Sequence, residues 1–354
     1  MRLSQHHSLF PQDGMTESTE TIDQIVEASQ TATIRRRFRR MMVVGLLLGI
    51  LLGPYLFYRA NSFQERVRVF KTDVSSTPHL NGDVIDLMVW NIAHGRGVAS
   101  SNWEEGSTGK AHRVMEIAAF IRSMNADVVV LNEVDFSAMW SGGFDQAAAI
   151  AEAAGFPYCA RQVNLDFGFI IGRFQFGNVI LSRFPITNAS VIDLPAFRPW
   201  EDWLVGCKRG LMGEMDLGSI GKINLAALHL DHRYEACRVD SVGVLINRFQ
   251  ETLGPLIVAG DLNTTPRTAP YSIETPDGEN AFDLLVDSTG LQPAPLQVLN
   301  IDQLTFPAWA PERAIDWVLY RPEFFQLESH QVLRSQLSDH RPVMVRLKIK
   351  AATK

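Results

Sequence analysis

The stretch KAHRVMEIAAFIRSMNADVVVLNE, residues 110–133, decides the fold class. Within Lys110 to Asn125, Val114, Ile117, Ala118 and Ile121 fall at i, i+3, i+4 and i+7, the spacing of a helix with one buried face. Asp127 to Asn132 follows as a short apolar run around Val128 to Leu131, which predicts a strand buried on both faces. Glu133 therefore leaves the end of that strand as a carboxylate. Helix, buried strand and polar group at the strand's C-terminal end make up the unit from which an α/β domain assembles a site.

Outward from this unit the same pattern recurs. Val84 to Trp90 predicts a first strand, and Asn178 to Ser182, Met212 to Leu217, Ile223 to His229, Leu256 to Ala259, Ala314 to Tyr320 and Val343 to Leu347 predict further ones. Ala147 to Ala154 predicts a short helix stopped by Gly155 and Pro157. Arg238 to Phe249 returns to helical spacing through Val239, Val242, Ile246 and Phe249. Strands outnumber helices, and some neighbouring strands are joined by turns while others are separated by a helix. A mixed-sheet α/β domain follows, because a doubly wound parallel sheet needs strict strand-helix alternation. No internal repeat of solenoid or propeller period occurs.

The 354 residues, 46% of them hydrophobic, suffice for a large core. Residues 1–71 hold 10 Lys/Arg and 6 Asp/Glu, which leaves 23 basic and 33 acidic residues in 72–354, a net charge of −10. That balance disfavours nucleic acid as a partner, since a broad grip on the phosphate backbone rests on Lys and Arg.

The N-terminus reads differently from the rest. A polar, basic tail over 1–40 ends in Arg35, Arg36, Arg37, Arg39 and Arg40, followed by the uncharged stretch 41–58. Eighteen such residues reach the length needed to span a bilayer. The long polar leader and the lack of a small-x-small site before Arg59 argue against a cleaved signal peptide. The expectation is an uncleaved signal anchor with the arginines cytoplasmic and the catalytic domain outside, periplasmic or at the cell surface. Residues 59–82 read as a juxtamembrane linker and 83–350 as a single catalytic domain. Cys159, Cys207 and Cys237 show no metal-ligand spacing and allow at most one disulfide.

The chemistry sits at the strand ends. Asn91 after Leu87 to Trp90 and Glu133 after Val128 to Leu131 offer an amide oxygen and a carboxylate, hard ligands suited to Mg²⁺, with Mn²⁺ as a substitute. Gly260-Asp261-Leu262-Asn263 follows Leu256 to Ala259, its glycine permitting a sharp turn close to a ligand. Its carboxylate would handle a proton, and its amide would bind a phosphoryl oxygen or orient the nucleophile. Asn263-Thr264-Thr265 is also a glycosylation sequon, but a glycan there would block the site. His229 after Leu225 to Leu228 would donate to phosphate oxygens or carry a proton. Asp339-His340 precedes Val343 to Leu347, and Asp316 is available to set the imidazole's tautomer.

Taken in order, Trp90-Asn91, Asn132-Glu133, Gly177 to Pro185, His229-Leu230-Asp231, Gly260 to Asn263, Ile315-Asp316 and Ser338-Asp339-His340 resemble the successive signatures of the endonuclease/exonuclease/phosphatase superfamily. Each motif is weak alone; their order and spacing over about residues 84–348 carry the resemblance. It implies a four-layer α/β sandwich, two mixed β-sheets face to face with helices outside and the site at one rim. It further implies Glu133 as main metal ligand with Asn91 and Asp339 nearby. Asp261 and Asn263 would position water or protonate the leaving oxygen. His229 and His340 would stabilise phosphoryl charge, with Asp316 orienting His340, Asn178 in the site floor and Arg209 contacting substrate. Nuclease members often carry an acidic or polar residue shortly after the first Asn; Ile92-Ala93-His94 here argues against a second metal.

The resulting expectation is a membrane-tethered, Mg²⁺-dependent phosphohydrolase acting on a phosphodiester or phosphomonoester. A lipid-like or small-molecule ester is favoured, with Trp140, Phe144, Trp200, Trp203, Phe306 and Trp309 as candidates for an apolar rim. The alternatives are an extracytoplasmic nuclease acting on DNA and an inactive membrane-anchored binding module, the latter having no use for intact Glu133, Asp261, Asn263, Asp339 and His340. The sequence leaves the oligomeric state open.

Overall fold

The structure is a computed structural model and describes residues 16–61, 66–75, 80, 82–169, 172–196, 198, 208–298 and 300–350. Two compact units result, residues 1–64 and 65–354.

In the first unit, helix α1 runs from Thr16 to Asn61. Its apolar side chains from Met41 to Leu52 stand in the open, Met41 71% and Leu51 72% exposed. Among the described residues no helix is long and apolar enough to cross a membrane, so the expected span at 41–58 is not found. The side chains at 54 and 56–58, the end of that stretch, lie outside the described residues.

The second unit is built on two mixed sheets. The first has the order β1-β4-β5-β3-β2-β13-β12, with β1 Val67–Lys71, β2 Val84–Asn91, β3 Val128–Ala138, β4 Tyr158–Phe169, β5 Gly172–Ser182, β12 Phe325–Val332 and β13 Val343–Ile349. The second has the order β10-β11-β9-β8-β7-β6, with β6 Ile186–Asp193, β7 Arg209–Asp216, β8 Lys222–His229, β9 Leu256–Asp261, β10 Gln292–Ala294 and β11 Asp316–Tyr320. Each sheet holds one parallel pair, β2 with β3 and β8 with β9, among antiparallel neighbours. Helices α2 (Ser107–Met124) and α3 (Gln146–Ala154) cover the first sheet, and α4 (Glu235–Glu251) and α5 (Ala281–Thr289) the second.

The alternation of side chains along a strand generates three apolar layers. Ile85, Leu87 and Val89 of β2 meet Leu225 and Ala227 of β8 and Ile257 of β9 between the sheets. Met88 and Trp90, pointing the other way, meet Val114, Ile117, Ala118 and Ile121 of α2, the four residues whose spacing predicted that face. Val242, Leu245 and Phe249 of α4 pack with Val258 and Trp317 behind the second sheet. At roughly 1.5–3 kcal/mol for each large side chain taken from water, these layers dominate the folded state's stability.

Two departures from the sequence reading have simple causes. Residues 67–71 are a sheet-edge strand rather than linker: β1 pairs with β4 from Val67↔Gln162 to Lys71↔Tyr158, a pairing 90 residues distant in sequence. Strands β4, β6, β10 and β12 and helix α5 are likewise absent from the sequence reading. β12 alternates on a sheet edge with its polar residues outward, and β4 carries Arg161, Gln162, Asn164 and Asp166, which local propensity disfavours in strands. Cross-strand partners supply what their composition withholds.

Candidate active site

The two parallel pairs bring the C-terminal ends of β2, β3, β8 and β9 to one rim. Asn91 pairs in register with Asn132, and His229 with Asp261. β11 is antiparallel to β9, so its first residue, Asp316, lies opposite Asp261. β13 is antiparallel to β2, which puts the loop before it at the same rim. Trp90 Nε1 donates to the His340 carbonyl at 2.9 Å and Ser338 Oγ donates to the Asn91 carbonyl at 2.7 Å, fixing that loop.

Backbone strain aims the carboxylates. Glu133 has φ +54° at a register shift between Leu131 and Val134, a bulge that turns its side chain out of the strand and toward the cleft. Asn263 has φ +51°, and its N–H donates to Asp261 Oδ1 at 3.0 Å. Gly260 has φ +143°, and a Cβ there would lie 1.9 Å from the Leu228 carbonyl oxygen, so the turn admits glycine alone.

Asn91 bridges the two central carboxylates. Its Nδ2 donates to Asp261 Oδ2 at 3.0 Å and to Glu133 Oε1 at 3.3 Å, while its Oδ1 accepts from Ala93 N–H at 3.0 Å. In this arrangement the amide nitrogen, and not the oxygen expected as a ligand, faces the cleft. Asn132 ties the sheets together below: its Oδ1 accepts from Asp261 N–H at 2.9 Å, and its Nδ2 donates to Asn178 Oδ1 at 2.8 Å. Asn178 is fully buried and donates to Gln162 Oε1 and to the Arg209 carbonyl, consistent with a place in the floor.

Arg209 is 4% exposed, with its guanidinium turned to Asp193 Oδ1 at 2.9 Å and the Val163 carbonyl at 2.9 Å, so the substrate contact expected of it is not what this geometry offers. Neighbouring residues on a strand point to opposite faces. It is Lys208 whose Nζ reaches the site, 3.2 Å from His229 Nε2.

His229 Nε2 lies 3.7 Å from Asp261 Oδ2 and 3.9 Å from Glu133 Oε1. His340 Nε2 is 3.7 Å from Asp261 Oδ2, and its Nδ1 is 2.8 Å from Asp316 Oδ2. Arg96 sits beside the remaining carboxylates, 3.4 Å from Glu133 Oε2 and 2.5 Å from Asp339 Oδ2. His94, buried, has Nδ1 2.7 Å from Asp135 Oδ1 and Nε2 3.4 Å from Glu133 Oε2. His94, Arg96, Lys208 and Asp135 were missed as functional residues, although Asp135 stands two places after Glu133 and Lys208 directly precedes Arg209.

The charges fall into opposed sets. Burial pulls the His229 imidazole well below its ordinary value, with Lys208 adding to the effect, so it is neutral. Burial acts the same way on His340, but Asp316 and Asp261 overcome it and raise the pKa, so this imidazole holds its proton at neutral pH. Asp261 is raised, first by burial and then by Asp316 against the opposing pull of His340. Burial would raise Glu133, but His94, Arg96 and Lys208 overcome it and hold the carboxyl far below the usual carboxylate range. One carboxylate thus stays charged while its neighbour is poised to take a proton, the separation that acid–base chemistry requires.

Asp261, Asp316 and His340 carry possible ligand atoms within 4.8 Å of one another. With Nδ1 bonded to Asp316 and the imidazole protonated at neutral pH, His340 has no free lone pair to offer a cation. Glu133 and Asp339 offer further carboxylate oxygens that could hold a hard ion, and both are paired with the Arg96 guanidinium.

The sequence pattern of the Endonuclease/Exonuclease/phosphatase family matches residues 88–340, more than half of the chain. The chain belongs to that family. Members are hydrolases acting on phosphate esters. No curated protein matches the sequence. Among solved structures it is similar to an endonuclease/exonuclease/phosphatase from Beutenbergia cavernae, with 23% identity, TM-score 0.59 and coverage of 76% of this chain and 72% of that one. A mannosyl-6-phosphatase from Bacteroides thetaiotaomicron is 19% identical over 74% of this chain and 99% of its own, with TM-score 0.54. The human Nocturnin catalytic domain with bound sulfate is 18% identical over 82% and 98%, with TM-score 0.53. These likenesses show the endonuclease/exonuclease/phosphatase fold, two mixed sheets flanked by helices.

Proposed function

We propose that this member of the family hydrolyses a phosphate ester with Mg²⁺, or Mn²⁺ in its place, on a lipid-like or small-molecule substrate. The observation that carries the reading is the gathering of Glu133, Asp261, Asp339, His229 and His340 at one rim, with both imidazole Nε2 atoms 3.7 Å from Asp261 Oδ2. Glu133 and Asp339 would hold the ion. Bound there, it would supply positive charge to the phosphoryl group and to the attacking water.

The chain's own residues do the rest. His340, kept upright by Asp316, donates from Nε2 to a phosphoryl oxygen, supplying preorganised charge stabilisation. Asp261, fixed by the Asn263 N–H and the Asn91 amide, takes the proton of the attacking water or returns one to the leaving oxygen. Lys208 and neutral His229 line the opposite side and bind phosphoryl oxygens. Asn263 holds its place because Thr264 donates to Glu235, whose carboxylate also accepts from the Ala281 N–H.

Substrate class follows from charge and surface. The net −10 over 72–354 opposes a long polyanion. Beside His94 an aromatic wall runs through Phe176, Trp140 and Phe174 to Trp103, which is 60% exposed. That wall would receive the part of the substrate beyond the phosphate. Trp200 and Trp203, also named as rim candidates, lie outside the described residues.

The test is hydrolysis by the full chain, with Mg²⁺ and with chelator, of sphingomyelin-like lipids, sugar and inositol phosphates, nucleotides and DNA. Chelator-resistant activity, or activity on DNA alone, overturns the reading. Membrane tethering is part of the same proposal, supported by the exposed apolar run Met41 to Leu52 next to five arginines. Fractionation and protease protection in intact cells decide it; a chain recovered wholly in the soluble fraction removes it.

A further inference from the structure

The proposed chemistry leaves one built cluster at the site without a task. His94 and Asp135 form a dyad that mirrors His340 and Asp316 across the two central carboxylates. His340 presents Nε2 to Asp261 at 3.7 Å from its anchor on Asp316; His94 presents Nε2 to Glu133 Oε2 at 3.4 Å from its anchor on Asp135. The Asn91 amide stands between the two halves.

The dyad is costly to build. Asp135 is fully buried and His94 nearly so, and a buried carboxylate is expensive unless its oxygens are satisfied. Here they are: Oδ1 meets His94, and Oδ2 accepts from Trp140 Nε1 at 2.8 Å. Buried Gln146 donates to the His94 carbonyl at 3.0 Å and accepts from the Asp135 N–H at 3.0 Å, locking the two backbones together. Ala93 and His94 both adopt left-handed backbone, φ +48° and +56°, a strain that non-glycine residues hold only where the surroundings impose it. A loop that needed only to be closed would not require this arrangement.

We propose that His94 is a positioning residue for Glu133. With Nδ1 committed to Asp135, Nε2 stands 3.4 Å from Glu133 Oε2 and fixes the rotation of the carboxylate that would hold a divalent cation. The role rests on the metal-dependent reading above. It explains why an imidazole, unable to replace an acidic ligand, follows the first Asn: it acts on the ligand from behind.

The experiment titrates full-length protein with Mg²⁺ and with Mn²⁺ by calorimetry, comparing wild type with His94→Ala, His94→Gln and Asp135→Asn. Loss of a group that orients a ligand weakens metal binding by about tenfold or more. That loss is expected in His94→Ala and Asp135→Asn, with part of the affinity restored in His94→Gln, whose amide nitrogen can still donate. Turnover of His94→Ala is expected to recover when the cation is raised to saturation. Unchanged cation affinity in a His94 variant that melts like wild type overturns the role, as does a loss of turnover that saturating cation leaves intact. Should His94→Ala not fold, His94→Gln carries the same comparison. Wild type that binds neither cation removes the proposed function itself, whereas normal wild-type binding with unaffected variants removes only the role of His94.

Discussion

Asp316 Oδ2 lies 2.8 Å from His340 Nδ1, and the other carboxylate oxygen, buried, has no hydrogen-bond partner among the described residues. The carboxylate is therefore devoted to one imidazole. His340→Ala should lower turnover by about 10²-fold or more, the scale of a positioned acid or base. Asp316→Asn should act on the same step, and the double variant should lose less than the product of the single losses. Multiplicative losses in variants with unchanged melting would separate the two residues.

Glu133→Gln keeps the size of the side chain and removes its charge. Calorimetry should show weakened Mg²⁺ binding, because a neutral amide offers a hard cation far less charge than a carboxylate. Unaltered affinity would place the ion elsewhere.

Trp103 ends the aromatic wall, 60% exposed and edge-on to Trp140 at 6.0 Å. Trp103→Ala should raise KM several-fold with kcat retained, since it touches only the part of the substrate that does not react. A fall in kcat with KM unmoved would contradict that placement.

Gly260→Ala forces a Cβ to within 1.9 Å of the Leu228 carbonyl oxygen at φ +143°. Urea unfolding should show a loss of about 3 kcal/mol or more, or no folded protein at all. A variant of wild-type stability would mean that β8 and β9 can part at this point at no cost.

Burial lowers His330 to about 4, below the ordinary value of about 6.5. Between those limits the unfolded chain binds a proton that the folded chain refuses, so stability falls as pH drops from about 6.5 toward 4 and is unaffected above it. Urea unfolding at pH 7 and pH 5 should show His330→Gln losing less than wild type, by up to about 2 kcal/mol at pH 5. Equal losses would show that His330 is solvated in the native state.

The sequence by itself determined the mixed-sheet α/β class and, through the family resemblance, the two-sheet sandwich. Val114, Ile117, Ala118 and Ile121 announce their buried face because helical periodicity is local, and Asn91, Glu133, His229 and Asp261 announce themselves because each follows an apolar run. Tertiary structure decided what local pattern does not encode. Strand β1 exists only because β4 pairs with it. Lys208, the residue just before β7, and not Arg209 enters the cleft because neighbours in an extended chain point to opposite faces, and which face is the cleft depends on the sheet opposite. His94 becomes a neighbour of Glu133 only through a left-handed loop clamped by Gln146, 52 residues away in the chain. Hydrogen bonds and charge act between groups that folding brings together, so their partners emerge only once the sheets are packed.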